Sequence, residues 1–264
     1  MAVFTRYSCV LAAIAAALPL TLDPIHRVDA ITGVPMAGYT TRELVVCLGG
    51  YDYRIRALTD LQQFADPHQL ADRAGISSAL WSLFGQVWPS GRVLAEAMCT
   101  HDIAGKRILE LGCGLGLSSL VLQRRRADIT ASDHHPLAES FLHHNAAQNQ
   151  LSTIDYRDLR WEVPDATLGR FDLIIGSDIL YESEHAGLLA AMMLRHALPD
   201  GEVLITDPGR GNSSAFTRAL SDQGYAVTEL RSRFDPADIA PFRGRLLSYR
   251  RGDVMADGIP SRGH

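Results

Sequence analysis

Three glycines at alternate positions in Glu110-Leu-Gly-Cys-Gly-Leu-Gly116 mark a turn able to receive a ligand. Glycine lets the backbone bend tightly and approach a bound molecule where a Cβ would collide. The spacing Gly112-x-Gly114-x-Gly116 departs from the dinucleotide fingerprint Gly-x-Gly-x-x-Gly, because Leu117 stands where its last glycine would be. Glu110 beside the turn suits a positively charged ligand and is a poor neighbour for phosphates. Asp133 follows Gly112 by about 20 residues, the separation at which a carboxylate accepts hydrogen bonds from both hydroxyls of a ribose. A nucleoside carrying positive charge satisfies all of these features. S-adenosylmethionine, with an ammonium and a sulfonium but no pyrophosphate, fits better than a nicotinamide cofactor, which disfavours an NAD-linked oxidoreductase.

A second group lies further along. Asp158-Leu-Arg-Trp161 follows the third strand of the expected sheet, where an adenine would lie. Asp158 is read either as acceptor for the adenine amino group or as a surface aspartate, and Trp161 either as an adenine wall or as ordinary packing. Phe171-Asp-Leu-Ile-Ile-Gly-Ser-Asp-Ile-Leu-Tyr181 runs through the fourth strand and sets Ser177, Asp178 and Tyr181 at its carboxyl end, the side on which α/β sheets bind ligands. The pairs His134-His135 and His143-His144 suggest metal ligands at first sight. Adjacent histidines on a helix point apart, however, and no cysteine or carboxylate set completes a site, so no metal is expected.

Regular alternation from Lys106 onward supplies the scaffold these residues need. Strands are predicted at Arg107–Leu111, Asp128–Ser132, Thr153–Arg157, Phe171–Ser177, Glu202–Asp207, Ala226–Ser232 and Leu246–Arg250, with helices at Gly116–Arg125, Pro136–Asn149, Glu184–Ala197 and Ser213–Gln223. Asp235 to Gly244 holds two prolines and no helical period, so the last two strands form an antiparallel pair. Glu43 to Leu58 reads as a β-hairpin around Gly49-Gly50, set before the main sheet as a cap. Asp60 to Gln86 is expected to be partly helical, broken at Asp66-Pro67. The fold class is therefore α/β, a Rossmann-like doubly wound sheet of seven strands with an antiparallel last strand and an N-terminal hairpin cap.

Against that scaffold, Asp178-Ile-Leu-Tyr181 resembles the Asp-x-x-Tyr signature of the seven-β-strand (class I) methyltransferases that modify lysine or N-terminal amines. Val87-Trp-Pro-Ser-Gly-Arg-Val-Leu-Ala95 is similar to the family's Trp-Pro-Ser segment, which helps close the cofactor pocket and implies a cofactor role for Trp88. Asp158-Leu-Arg-Trp161 matches a family segment ending in tryptophan. Asp207-Pro-Gly-Arg210 resembles the bacterial branch that includes the lysine methyltransferase of the electron-transfer flavoprotein β-subunit. The likeness runs from about Glu43 to Arg250. It implies S-adenosylmethionine as cofactor, held by Trp88, Glu110, Gly112, Gly114, Gly116, Asp133, Asp158, Trp161 and Ser177. It implies catalysis at Asp178 and Tyr181, with methyl transfer to lysine side chains of a protein. The alternatives are a small nicotinamide-like amine as acceptor, or a non-catalytic S-adenosylmethionine-binding module, which the retained Asp178 and Tyr181 oppose.

Composition sets outer limits. At 47% hydrophobic and 21% charged residues the chain has ordinary globular usage, so it is expected to fold. A formal charge of −5 with no basic run longer than Arg124-Arg-Arg126 offers no footprint for nucleic acid. The four cysteines form no Cys-x-x-Cys pair, which argues for a reducing compartment and a cytoplasmic location. Residues 1–35 pull the other way. A positive charge precedes an uncharged stretch, Tyr7 to Leu22, and Val28-Asp-Ala30 suits cleavage, as in a secretory signal. Sixteen residues interrupted by Pro19 are too few for stable membrane insertion. Signal, dispensable extension and translation from Met36 all stay open. The methyltransferase domain is expected at 36–252, with a frayed tail at 253–264.

Overall fold

The computed structural model describes residues 39–59, 73–76, 81–234 and 241–251. The apolar segment at 1–35, most of the stretch from 60 to 86, the linker at 235–240 and the tail at 253–264 lie outside the described residues. Among those described, no helix is long and apolar enough to cross a membrane.

The hairpin forms first in the chain: β1 (Thr41–Leu48) pairs antiparallel with β2 (Tyr51–Leu58) across Gly49-Gly50. Both glycines have positive φ, as a tight two-residue connection demands. The alternation Tyr53, Ile55, Ala57 turns one face of β2 into the core. Helix α1 (Pro89–Met98) follows and was not foreseen as a helix. Its sequence signal was Pro89 at the first helical position, ahead of Val93, Leu94, Ala97 and Met98 on a buried face.

The main sheet has seven strands: β3 (Arg107–Leu111), β4 (Asp128–Asp133), β5 (Asp155–Asp158), β6 (Phe171–Ser177), β7 (Ala197–Asp207), β8 (Tyr225–Phe234) and β9 (Phe242–Arg251). Its order is β5-β4-β3-β6-β7-β9-β8. Strands β3 to β7 run parallel, and β9 is antiparallel to both neighbours. The reversed last strand is thus wedged between β7 and β8. Between the strands lie α2 (Leu117–Arg124), α3 (Ala138–Gln148), α4 (His185–His196) and α5 (Ser213–Ser221). Strand β7 begins directly after α4, five residues before its expected start at Glu202, because Ala197 already pairs with Phe171. The ladder then shifts register and resumes at Leu173–Glu202. Gly201 permits that bulge, since a Cβ there would lie 3.0 Å from the carbonyl oxygens of Leu198 and Phe171.

Two apolar layers sandwich the sheet. One joins Ile108, Ile175 and Leu204 to α1, α2, α3 and the hairpin; the other joins Leu109, Ile174 and Val203 to α4 and α5. Neighbouring residues on one strand thus face opposite layers, as a sheet covered on both faces requires. From β3 the chain winds to one side through β4 and β5, then crosses back to β6. This reversal opens a crevice at the carboxyl ends of β3 and β6.

Candidate active site

A cavity of about 580 Å³ fills that crevice. It falls within the few hundred to a thousand Å³ usual for small-molecule sites. Trp88, Glu110, Gly112, Gly114, Asp133, Trp161, Ser177, Asp178 and Tyr181 all line it.

At its inner end the glycine turn links β3 to α2. Gly112, Gly114 and Gly116 all have positive φ, of 62°, 53° and 81°. A Cβ on Gly112 would press on Ile179 Cγ2 at 3.1 Å. Gly116 lies outside the cavity lining; a Cβ there would meet Leu142 Cδ1 at 2.2 Å, so its requirement is helix packing. Glu110 is buried, and its Oε2 accepts the backbone amide of Ser119 at 2.9 Å and the Ser119 hydroxyl. The carboxylate thereby occupies the first turn of α2, where a pyrophosphate would otherwise bind. Burial pushes Glu110 up to about 7, against the opposing hydrogen bonds from Ser119. A cationic ligand nearby would favour its ionised form.

Asp133 ends β4 and ties two loops together: Oδ2 accepts from Gly114 N at 2.8 Å and Oδ1 from His135 N at 2.8 Å. Burial raises its carboxyl, partly offset by these amides. Each oxygen keeps a second lone pair for a ligand hydroxyl. Trp88 precedes α1 and is anchored by Nε1 donating to Leu83 O at 2.8 Å. Asp158 sits opposite Asp133 in the β4–β5 ladder, yet its side chain is 77% exposed and does not line the cavity. It reaches the site through His134, whose Nδ1 is 3.4 Å away and whose Nε2 donates to Ala74 O.

The outer end is built on the turn after β6. Asp178 takes φ of +53°, an uncommon left-handed conformation for a non-glycine residue, and its amide donates to Thr206 O. Its carboxylate forms a two-pronged pair with Arg210: Nε to Oδ1 at 2.6 Å and Nη2 to Oδ2 at 2.7 Å. Arg210 comes from the Asp207-Pro-Gly-Arg210 loop after β7 and also lines the cavity. Sequence reading noted that loop only as a likeness; two loops on neighbouring strands carrying opposite charges were the signal for the pair. Tyr181, pushed up to about 12 by burial, meets the His185 ring edge to face at 4.4 Å. Trp161 packs on the same ring at 5.0 Å. His134, His135, Glu182, His185 and Arg160 also line the cavity and were not foreseen as site residues. Among the described residues no group of three His, Cys, Asp or Glu side chains could hold a metal ion.

Comparison with known proteins gives a consistent family. The lysine methyltransferase family matches residues 77–222. Protein N-lysine methyltransferase METTL21A of Danio rerio is 30% identical over 193 residues, which cover 69% of this chain and 84% of that protein. The electron transfer flavoprotein beta subunit lysine methyltransferase of Xenopus laevis is 29% identical over 139 residues, 51% of this chain and 54% of that one, so the chain spans about half of that relative's length. Among solved structures, magnesium protoporphyrin IX methyltransferase from Synechocystis, with S-adenosylmethionine bound, aligns with a TM-score of 0.50 at 16% identity, covering 71% of this chain and 92% of that one. A candidate S-adenosylmethionine-dependent methyltransferase from Streptococcus mutans aligns with a TM-score of 0.57 at 13% identity, covering 83% and 57%. At such identities the structural likeness is one of fold.

Proposed function

Because the chain belongs to the lysine methyltransferase family, we propose that it transfers a methyl group from S-adenosylmethionine to the side-chain amine of lysine in a protein. One observation carries the reading: a single cavity joins the glycine turn and Asp133 at its inner end to Asp178 and Tyr181 at its outer end. When bound, S-adenosylmethionine supplies an electrophilic methyl group on a sulfonium centre. Gly112 and Gly114 would give it room, the Glu110 carboxylate a favourable charge, and Asp133 acceptors for its ribose hydroxyls. Trp88 and Trp161 would wall the cavity against water, with Ser177 at the strand end between the two halves. Gly116 acts by letting α2 pack on Leu142, and Asp158 through His134.

Asp178 orients the acceptor amine. Arg210 occupies one lone pair of each oxygen and fixes the carboxylate, leaving others for the amine. Tyr181 keeps its hydroxyl proton and shapes the channel beside it. With no covalent intermediate required, acceleration comes from holding the nucleophile within near-attack distance in a charged, water-poor cavity. The domain is assigned to residues 36–252. The reaction is assigned to the cytoplasm, where the cofactor is made.

The test is transfer of tritiated methyl from S-adenosylmethionine into a cell lysate, with protein and small-molecule fractions separated. Wild type labels a protein band and Asp178→Ala loses on the order of 100-fold in rate. Label confined to small molecules would replace the protein acceptor with a nicotinamide-like amine.

A further inference from the structure

A lysine amine ordinarily titrates near about 10.4, so at neutral pH it arrives as an ammonium with no lone pair and must lose a proton before methylation. The titratable groups of the cavity differ sharply in their freedom to take it. Both Asp178 oxygens accept Arg210 N–H groups. Both Asp133 oxygens accept backbone amides, and Glu110 is engaged by Ser119 at the opposite end. Tyr181 holds its own proton. His134 donates to Ala74 O through Nε2 and turns Nδ1 to Asp158, while His135 accepts the Leu137 amide on Nδ1.

His185 is arranged differently. Its Nδ1 lies 3.1 Å from the carbonyl oxygen of Ile179, which can only accept, so Nδ1 carries the hydrogen. In the neutral ring Nε2 is then a bare acceptor, and Glu182 Oε2 lies 3.6 Å from it, placed to stabilise an imidazolium. The ring is clamped edge to face against both Tyr181 and Trp161 and borders the same cavity as Asp178. A neutral imidazole oriented by one carbonyl and flanked by one carboxylate is the arrangement of a general base.

We infer that His185 is the proton acceptor for the substrate amine: Nε2 takes one proton from the lysine ammonium, leaving a neutral amine on Asp178, and the imidazolium returns that proton to solvent past Glu182. The inference rests on the proposed lysine specificity. Of the charged and titratable groups nearby, Glu182 and Tyr181 meet the ring itself, Asp178, Arg210 and Asp133 act on Tyr181 beside it, and Arg195 donates to the carbonyl of Trp161, which packs on the ring.

The experiment compares wild type with His185→Gln and Glu182→Gln, following tritiated methyl incorporation into lysate protein from about pH 6 to about pH 10. At neutral pH His185→Gln is expected to lose about 100-fold in rate. It should recover toward wild type at the alkaline end, where the amine deprotonates unaided. Glu182→Gln lowers the plateau rate and shifts the acidic limb of the profile to lower pH, because the imidazolium loses its stabilising carboxylate and a weaker base remains. Calorimetric binding of S-adenosylmethionine stays unchanged in both variants, which separates this role from folding. Nitrogen NMR of unliganded wild type supplies a readout independent of turnover and should show His185 protonated on Nδ1 with Nε2 bare. A His185→Gln profile parallel to wild type at every pH, or an Nε2–H tautomer, overturns the assignment. Absence of lysine labelling by wild type overturns the proposed function instead.

Discussion

Glu110 answers two opposed demands, and their signs differ. Its carboxyl is raised by burial from 4.5 to about 7 in the folded chain. The folded state therefore holds a proton that the unfolded chain releases, and stability falls as pH rises from about 4.5 through about 7. The shift corresponds to about 3 kcal/mol at most. Glu110→Gln should thus be more stable than wild type above pH 7 and indistinguishable from it near pH 4.5, while binding S-adenosylmethionine more weakly. Urea unfolding of both proteins across this range checks it, and a stability difference that does not change with pH would sink the argument. Gly116 makes a simpler demand. Alanine there meets both a φ of 81° and Leu142, so Gly116→Ala is expected to destabilise by about 1–2 kcal/mol in the same assay without directly touching the cavity.

At the scale of elements, the hairpin is attached by side chains in place of a third strand. Asn145 on α3 and Asn149 at its C-terminal cap accept the backbone amides of Arg56 and Arg54, at 2.7 and 2.9 Å, and Asn149 Nδ2 donates back to Arg54 O. Asn145 Nδ2 also holds Leu115 O, next to the glycine turn, so one side chain couples cap and cofactor loop. Asn145→Ala would strand these buried partners at a cost of about 1–3 kcal/mol. Hydrogen exchange should quicken at the β2 amides and in the glycine turn together; protection unchanged in the turn would refute the coupling. The hairpin itself was legible in sequence, because Gly-Gly between β-forming runs specifies it locally. Its docking partner was not, since two asparagines one turn apart on a helix look like ordinary surface residues until the fold brings β2 to them. Helix α1 was overlooked for another reason: Trp88-Pro89-Ser90 was read as a motif, although Pro89 also starts a helix.

For the whole molecule, opposite ends of the sheet do different work. At the end away from the cavity, Glu202 is buried among His101, Ser248 and Arg250. Burial pushes this carboxyl up, but those three partners outweigh it and hold it down to about 2. The unfolded chain binds this proton more readily, so the group stabilises the fold above about 4.5 and the contribution, about 3 kcal/mol, is lost as pH falls toward 2. Glu202→Gln should therefore be least stable relative to wild type at neutral pH, with the gap closing below about pH 4, as urea midpoints would show. At the other end, S-adenosylmethionine at 100 times its dissociation constant should stabilise the chain by about 2.7 kcal/mol, raising Tm, whereas NAD at that concentration should not. The sequence by itself determined the α/β alternation, the glycine turn and the carboxylates at the strand ends, because strand period and backbone demands at glycine are local properties. It did not determine that β9 inserts between β7 and β8, that Asp178 is clasped by Arg210, or that Asn145 and Asn149 hold the hairpin. Those depend on pairings between residues far apart in the chain, which come within hydrogen-bonding distance only after the sheet has formed.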